Sequence, residues 1–461
     1  MQRGGLTDNI AAINARLDEQ ALEIDAQRPP AFTDEALALR FALTHADNLR
    51  YVAAVGRWFT FTGTYWRLDD TLFAFDRARH VCRLASAECN KDKISNILAS
   101  AKTVSAVERL SRADRRLVAT IDQWDRDLMI MNTPSGTINL RDGSSSPHNA
   151  SDYCSRITAV APGGACPAWH KFLDRVTDHN QDLQTFLQRV AGYALTGQTT
   201  EHALFFLYGL GANGKSVFLN TLAGILGEYH RTAPIETFTA SSHDRHPTDL
   251  AGLRGARLVT ASETEEGRRW AESRIKQMTG GDKMAARFMR GDFFEFTPQF
   301  KLVIAGNHKP GLRSVDEAIR RRFNLVPFTV HIPPTERDEK LAERLREEWP
   351  GILSWMIEGC LVWQRDGLSP PAAVTQATTE YLESEDAMTC WFEDKCERSP
   401  QSKTGSSDLF VSWKNWADMA GEPVGTQKRF SQKLEERGFQ KVRSRSGSEF
   451  VGIRLLVGYG V

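Results

Sequence analysis

Eight residues, GLGANGKS at 209–216, carry the densest chemical information in the chain. Gly209, four residues, then Gly214, Lys215 and Ser216 is the spacing of a loop whose backbone N–H groups wrap around phosphate oxygens. Glycines at the two ends supply dihedrals that other residues adopt only at a cost. Lys215 offers a cation to the outer phosphates of a nucleoside triphosphate, and Ser216 offers a hydroxyl to Mg2+. Gly211, Ala212, Asn213 and Val217 complete the candidate nucleotide-binding set. The Lys215 side chain is expected to be exposed, so that its removal would spare the fold.

A phosphate loop needs an acid at the end of a neighbouring strand to hold the metal through water and orient the attacking water. RLVTASETEE places Glu263 directly after an apolar run, 48 residues beyond Lys215, with Glu265 and Glu266 close behind. Glu263 is the candidate acid and, with Ser216, the candidate metal-side ligand. A solvated acidic loop is the other reading, and it suits Glu265 and Glu266 better than Glu263. KLVIAGN ends at Asn307, whose amide can contact a γ-phosphate or simply form a turn before Pro310. EAIRRRFNLVPF then carries Arg320, Arg321 and Arg322 ahead of another apolar run. An arginine given to a neighbour's γ-phosphate stabilises transition-state charge; three in a row also suit a solvated helix end.

The flanking elements fit these roles. ALFFLY at 203–208 reads as a buried strand, and VFLNTLAGIL as a helix that Gly227 stops. The helix N-terminus therefore points at the phosphates. ARLVTAS and FKLVIAG are further strands, and the strand–helix alternation over 201–330 marks a parallel α/β sheet. Upstream, TDEALALRFALTHA reads as a helix capped by Thr33, RWFTFTGTYWRLDD as a hairpin, and MIMNTPSGTINLRDG as two short strands. AWHKFLDRVT and LQTFLQRVAGYAL read as helices leading into the sheet. Beyond a loop at 366–371, a last unit starts helical; after RSPQSKTGSS come two helices and a strand-like tail.

With 461 residues the chain accommodates two to four domains. Its 58 basic and 58 acidic residues balance, so any nucleic-acid site must come from local patches. Seven scattered cysteines without a C-x-x-C pair argue against a zinc ribbon and for reduced thiols. There is no apolar run of membrane-spanning length, and the N-terminus lacks the apolar core of a secretory signal. The expected location is the cytoplasm.

The order of these motifs resembles the superfamily 3 helicases, and closely the phage and plasmid primase-helicases related to the poxvirus primase-helicase. FFLYGLGANGKSVFLNTL, LVTASETEEG, IKQMTGGDKMAARFMRGDFFEFTPQFKLVIAGNHKP and AIRRRFNLVPF carry the core of the resemblance. LRYVAAVGRWFTFTGTYWRLDD looks like that family's N-terminal associated domain, and LFVSWKNWADMAGEPVGTQKRFSQKLEERGF like its C-terminal winged helix.

The resemblance implies an AAA+-like P-loop ATPase that uses ATP and Mg2+. It would assemble as a hexameric ring around DNA and translocate 3′ to 5′ on single strands, in the replication of a phage, plasmid or mobile element. Lys215 and Ser216 take the Walker A roles, Glu263 that of Walker B and Asn307 that of sensor 1, while Arg321 or Arg322 is the finger acting in trans. Relatives often carry two adjacent acids in Walker B; here Thr264 follows Glu263, and the acid that polarises water stays open. Relatives also often carry a primase ahead of the helicase. About 33 residues are too few for one, so primer synthesis is not expected of this chain and a primase partner would need to be a separate chain.

The implied organisation is an arm at 1–33, a mixed α+β associated domain at 34–165, the ATPase at 166–365 and the DNA-binding module at 372–461. ARFMRGDFFEF reads as a hairpin turning near Gly291, with Arg287 and Arg290 as channel-facing DNA contacts beside Phe288 or Met289. KRFSQKLEERG and the tail FQKVRSRSGSEFVGIRL have the form of a recognition helix and basic wing, with Lys428, Arg429 and Lys433 toward duplex DNA. Phe430, Leu434, Trp413 and Trp416 are expected in the core. Two rivals stand beside a helicase: an initiator that binds and melts a specific origin, and an ATP-switched DNA-binding oligomer that does not unwind.

Overall fold

Strands covered on both faces read as unbroken apolar runs, and the runs ALFFLY, ARLVTAS and FKLVIAG all become parallel strands. The structure, a computed structural model, describes residues 29–240, 248–263, 268–287, 293–312, 315–422, 424–444 and 447–456. Of these, the residues up to Asn139 together with Ser144–Thr158 form one unit. Leu140–Gly143 and the residues from Ala159 onward form a second.

In the first unit, α1 (Asp34–His45) starts where the Thr33 hydroxyl accepts the Ala36 N–H, the expected cap. An antiparallel meander follows, β1 (Leu49–Val52), β2 (Arg57–Phe61) and β3 (Trp66–Leu68). Helices α2 (Phe73–Glu88), α3 (Asp92–Leu98) and α4 (Ala101–Ser111) follow, and Phe41, Trp58, Val81 and Val107 share one core. The indole N–H of Trp58 donates to buried Glu108, which also takes a two-point grip from Arg112. A second meander, β4 (Ile130–Thr133), β5 (Gly136–Asn139) and β6 (Ser144–Ser146), contains the two strands expected there and adds a third.

The second unit opens with α5 (Pro167–Val176) and α6 (Gln181–Leu195). Then come β7 (Leu204–Tyr208), α7 (Lys215–Leu226), β8 (His230–Thr232), α8 (Thr248–Ala251), β9 (Leu258–Glu263) and α9 (Glu272–Thr279). After these follow β10 (Met284–Ala286), β11 (Phe294–Phe296), β12 (Lys301–Gly306), α10 (Glu317–Arg320) and β13 (Phe323–Pro327). Helices α11 (Leu341–Glu347), α12 (Trp349–Asp366) and α13 (Ala372–Ser384) close this part. Among the described residues five strands form a parallel sheet in the order β13-β7-β12-β9-β8. Phe206, Val259, Ile304 and Leu325 pack with Trp270, Phe323 and Tyr381 in one core.

The helix α13, which the sequence assigns to the C-terminal module, packs on this sheet. Ala377, Tyr381 and Leu382 join the sheet's core, and the Thr378 hydroxyl accepts the Leu325 N–H. A separate core begins with α14 (Ala387–Lys395), β14 (Cys396–Gly405), α15 (Ser406–Ala420), α16 (Gln427–Glu436), β15 (Gln440–Ser444) and β16 (Gly447–Leu455). Trp391, Trp413, Phe430, Leu434 and Phe450 fill it. Trp416 is only partly buried and donates its indole N–H to Asp394. The stretch RSPQSKTGSS is not a mere connection: most of it is β14, paired antiparallel with β16. Its Pro400 falls where the register shifts between Ser399 and Lys403, a bulge that tolerates a missing N–H.

Helices α6 and α12 meet backbone to backbone. A Cβ on Gly192 would lie 2.1 Å from the Cys360 nitrogen, and one on Gly359 would lie 2.2 Å from the Gln188 oxygen. Only glycine permits this approach. Gly192→Ala should therefore cost on the order of 1–3 kcal/mol by forcing the helices apart. Chemical denaturation checks this against Gly252→Ala, whose added Cβ meets nothing within 4 Å.

Candidate functional site

Three strands of the parallel sheet end at one level. Gly306 is in register with Tyr208 on one side and with Glu263 on the other. The loop after β7, the last residue of β9 and Asn307 after β12 therefore meet at the carboxyl edge, where open α/β sheets bind ligands.

The glycine loop is fixed from several directions. Its Lys215 ammonium donates to the Gly209 carbonyl at 2.6 Å, to Asn213 Oδ1 at 3.1 Å and to Asn307 Oδ1 at 3.2 Å. The side chain is turned inward by these oxygens, and the residue is 6% exposed, contrary to the expected exposure. Burial pushes its pKa below the ordinary lysine value. Buried Asn213 donates its own amide to the Phe328 carbonyl at 2.7 Å, and the Ile332 N–H donates to the Ala212 carbonyl at 2.9 Å. A segment just past β13 thus holds the loop from beneath.

Gly214 takes φ +85° directly before α7, and a Cβ there would lie 2.6 Å from a Val176 methyl. Ala212 holds a left-handed φ of 48° without being glycine, a conformation that persists only where the surroundings enforce it. Helix α7 has no side-chain cap, which leaves its first N–H groups to a ligand, and Ser216 is exposed on its first turn. A cation, open N–H groups and a helix N-terminus converge on one spot, which suits phosphate oxygens. Among the described residues no group of three or more His, Cys, Asp or Glu forms a ready metal cage. A Mg2+ held by phosphate oxygens and waters, with one hydroxyl and one carboxylate, needs none.

The arginines separate by environment. Arg322 is 6% exposed, donates through Nε to the Thr279 hydroxyl at 3.1 Å and through a terminal nitrogen to the Ala318 carbonyl at 2.7 Å. Burial lowers its pKa. Arg321, at the end of α10, is exposed. Arg322 is therefore bound within its own chain, and Arg321 is the one presented outward.

The expected hairpin exists as β10 and β11, with Met284 opposite Phe296 and Ala286 opposite Phe294. The Arg287 guanidinium lies 4.9 Å from the ring centroid of Phe293, which is 62% exposed. Arg290, Phe288, Met289 and the turn at Gly291 lie outside the described residues, as do Glu265 and Glu266. On α16, Lys428 and Arg429 are exposed and Lys433 is half-buried. Two further arginines of this segment are occupied internally: Arg437 grips Asp386, and Arg454 pairs with Glu397.

Lys309 stands at the same edge, although its sequence neighbourhood gives little sign of it. Its ammonium lies 4.3 Å from the centroid of Tyr208, the last residue of β7, and 5.7 Å from that of Tyr381. The short GNHKP stretch after a strand is its only local signal.

Comparison with known proteins adds an independent line. Residues 38–178 match a family described as "D5 N terminal like", and residues 207–322 match a family of unknown function, DUF5906. "Putative helicase 022R" of Frog virus 3 (isolate Goorha) is 26% identical over 338 residues, 68% of this chain and 33% of that protein. "Putative helicase L207/L206" of Acanthamoeba polyphaga mimivirus is 26% identical over 258 residues, 51% of this chain and 27% of that one. The chain spans well under half the length of either relative. The apo structure of the NrS-1 C terminal region superposes on 90% of this chain and 98% of its own, with TM-score 0.52 and 10% identity, a likeness of fold. The family and sequence matches support kinship with D5-like primase-helicases.

The loop geometry makes a prediction that needs no enzyme assay. Inorganic tripolyphosphate at about 100 times its Kd should stabilise the full chain by about 2.7 kcal/mol, and Lys215→Met should lose that gain. Denaturation with and without the anion measures it; equal stabilisation of both proteins would remove Lys215 from the site.

Proposed function

We propose that the chain is the ATP-driven motor of a DNA helicase of the superfamily 3 type. In this reading it works as a ring, most simply a hexamer, that moves 3′ to 5′ during replication of a mobile element. The observation that carries the reading is the Lys215–Asn307 contact across two adjacent strand ends beside the glycine loop. It joins the residue suited to the outer phosphates with the residue suited to report their loss. Helicase-named relatives and the parallel strand order support the same class.

In this mechanism the loop N–H groups at Gly209, Gly211, Ala212, Asn213 and Gly214 hold the triphosphate. Lys215 leaves its three protein oxygens for phosphate oxygens, which removes the cost of its burial. Bound Mg2+ would neutralise developing phosphate charge, with Ser216 and Glu263 as its protein-side partners. Glu263 orients water, and Asn307, released by Lys215, contacts the γ-phosphate. Arg321, exposed beside its buried neighbour, is the residue given to the adjacent subunit's site. Arg287 and Arg290 serve single-stranded DNA in the channel. The module beyond residue 386, read as a winged helix, grips duplex with Lys428, Arg429 and Lys433.

Tailed forks test the motor. Wild type should displace a strand from a 3′-tailed fork only with ATP, and Lys215→Ala should lose both ATPase activity and displacement. Mixing Arg321→Ala with Lys215→Ala subunits should restore part of the ATPase activity, because one mixed interface holds an intact loop and an intact arginine. Arg322→Ala should instead lower stability. Displacement by Lys215→Ala, or no rescue from mixed and assembled subunits, would reject the respective assignment.

The C-terminal module generates a separate expectation. Replacing Lys428 and Arg429 with Ala should weaken duplex binding and lower its salt slope by about one unit for each phosphate left unneutralised. ATPase activity without DNA should be unchanged. Identical slopes in a salt series would show that this helix face does not meet DNA, and sequence-selective binding by the wild type would favour the initiator reading.

A further inference from the structure

Beside the glycine loop the second unit contains a cavity of about 550 Å3. Its walls come from four stretches of chain: α5, the loop itself, the first turn of α7 and the segment running into α11. Phe172, Val176, Ala212, Val217, Ile332 and Leu341 give it an apolar lining. Its place is fixed by the same contacts that fix the loop. Phe172 and Val176 lie against Gly214, and Ile332 donates its N–H to Ala212. The α5 wall is anchored at its start by Glu348, whose two carboxylate oxygens accept the Ala168 and Trp169 N–H groups at 2.9 Å each.

The polar groups at the rim are arranged in pairs. Arg175 donates twice to Glu336, at 3.1 and 2.9 Å. Arg344 is ion-paired with Asp338, and Arg337 donates to the Ile332 carbonyl at 3.1 Å. Both rim carboxylates, the groups suited to accept an exocyclic amine, thus already face an arginine. Lys171 stands exposed at the edge as a flexible donor. A lysine donor on a flexible stem meets the ring-nitrogen acceptor that adenine and guanine share, and its exposed ammonium is not fixed at the edge where the two bases differ.

We infer that this cavity takes the base of the bound nucleoside triphosphate as a purine recognised by its apolar face and area, with no group that separates adenine from guanine. The inference rests on the phosphate-loop reading and deepens it. The physical ground is the contrast between two kinds of site. An apolar pocket discriminates by size and tolerates an isosteric change of polar group, whereas a site built to hydrogen-bond a given edge rejects the wrong edge by orders of magnitude. The cavity is of the size and apolar character of small-molecule pockets. A pyrimidine offers a smaller face to the same walls and gains less from their burial.

The test is competition at equilibrium against a fluorescent ATP analogue bound to the full chain with Mg2+. Competitors are ATP, GTP, CTP, UTP and inorganic tripolyphosphate. ATP and GTP should compete within about fivefold of each other, and CTP and UTP should be at least about tenfold weaker. Leu341→Ala, at a half-exposed position, should weaken ATP and GTP several-fold and leave tripolyphosphate unchanged. Leu341→Trp, which fills the cavity, should abolish the purine preference while tripolyphosphate still competes. GTP more than about tenfold weaker than ATP would overturn the inference, because an edge-reading group would then be at work. Four nucleotides of equal strength, or nucleotide binding indifferent to both Leu341 variants, would overturn it by placing the base elsewhere. In those cases tripolyphosphate still competes and the loop reading stands. If neither tripolyphosphate nor any nucleotide binds, the loop reading fails and takes this inference with it.

Discussion

The Lys215 ammonium, held by one carbonyl and two amide oxygens, is the contact on which the candidate site depends. It closes the glycine loop on itself through Gly209 and Asn213, and it ties that loop to the end of β12 through Asn307. A cation buried without an anion is costly, and burial accordingly lowers its pKa. The neutral oxygens around it satisfy the N–H groups without cancelling the charge. Incoming phosphate would do both. The arrangement is therefore stable enough to shape the loop and poised to exchange partners.

The other contacts keep that exchange local. Asn213 anchors to the chain beyond β13, Ala212 accepts from Ile332, and Gly214 rests on α5. Each removes a way for the loop to relax. The left-handed Ala212 is the cost of this enclosure, carried at the point where the loop must turn its N–H groups inward.

What is legible in the sequence is what is decided over a few residues. β7, the glycine turn and α7 occupy a short continuous stretch, and their apolar periods, turn residues and stop signal all agree. The capping Thr33, the hairpin at β2 and β3, and the inward Phe430 and Leu434 are legible for the same reason. The misplaced features are those decided by distant partners. β14 is polar and carries a proline, and it becomes a strand only because β16 lies beside it. Helix α13 has an ordinary amphipathic pattern, which says that it packs but not on which sheet. Lys215 looks like an exposed lysine until Asn307, from another strand, comes within reach.

The three consecutive arginines show the limit most plainly. They carry the same charge and stand on the same helix end, yet each has a different surrounding. Arg322 points inward because Thr279, 43 residues earlier, supplies an acceptor at the end of α9. Arg321 follows the turn of the short helix outward. Arg320 lies 3.8 Å from Asp386, a buried carboxylate whose two oxygens both accept from Arg437 at the end of α16. Asp386 also accepts the Met388 N–H and so caps α14. One carboxylate thus sits between the helix that presents Arg321 and the helix that presents Lys428 and Arg429. Removing one partner of a buried ion pair leaves the other charge uncompensated. The position of α16 and that of the arginine-bearing turn are for this reason not independent within the fold, although nothing in the local sequence of either connects them.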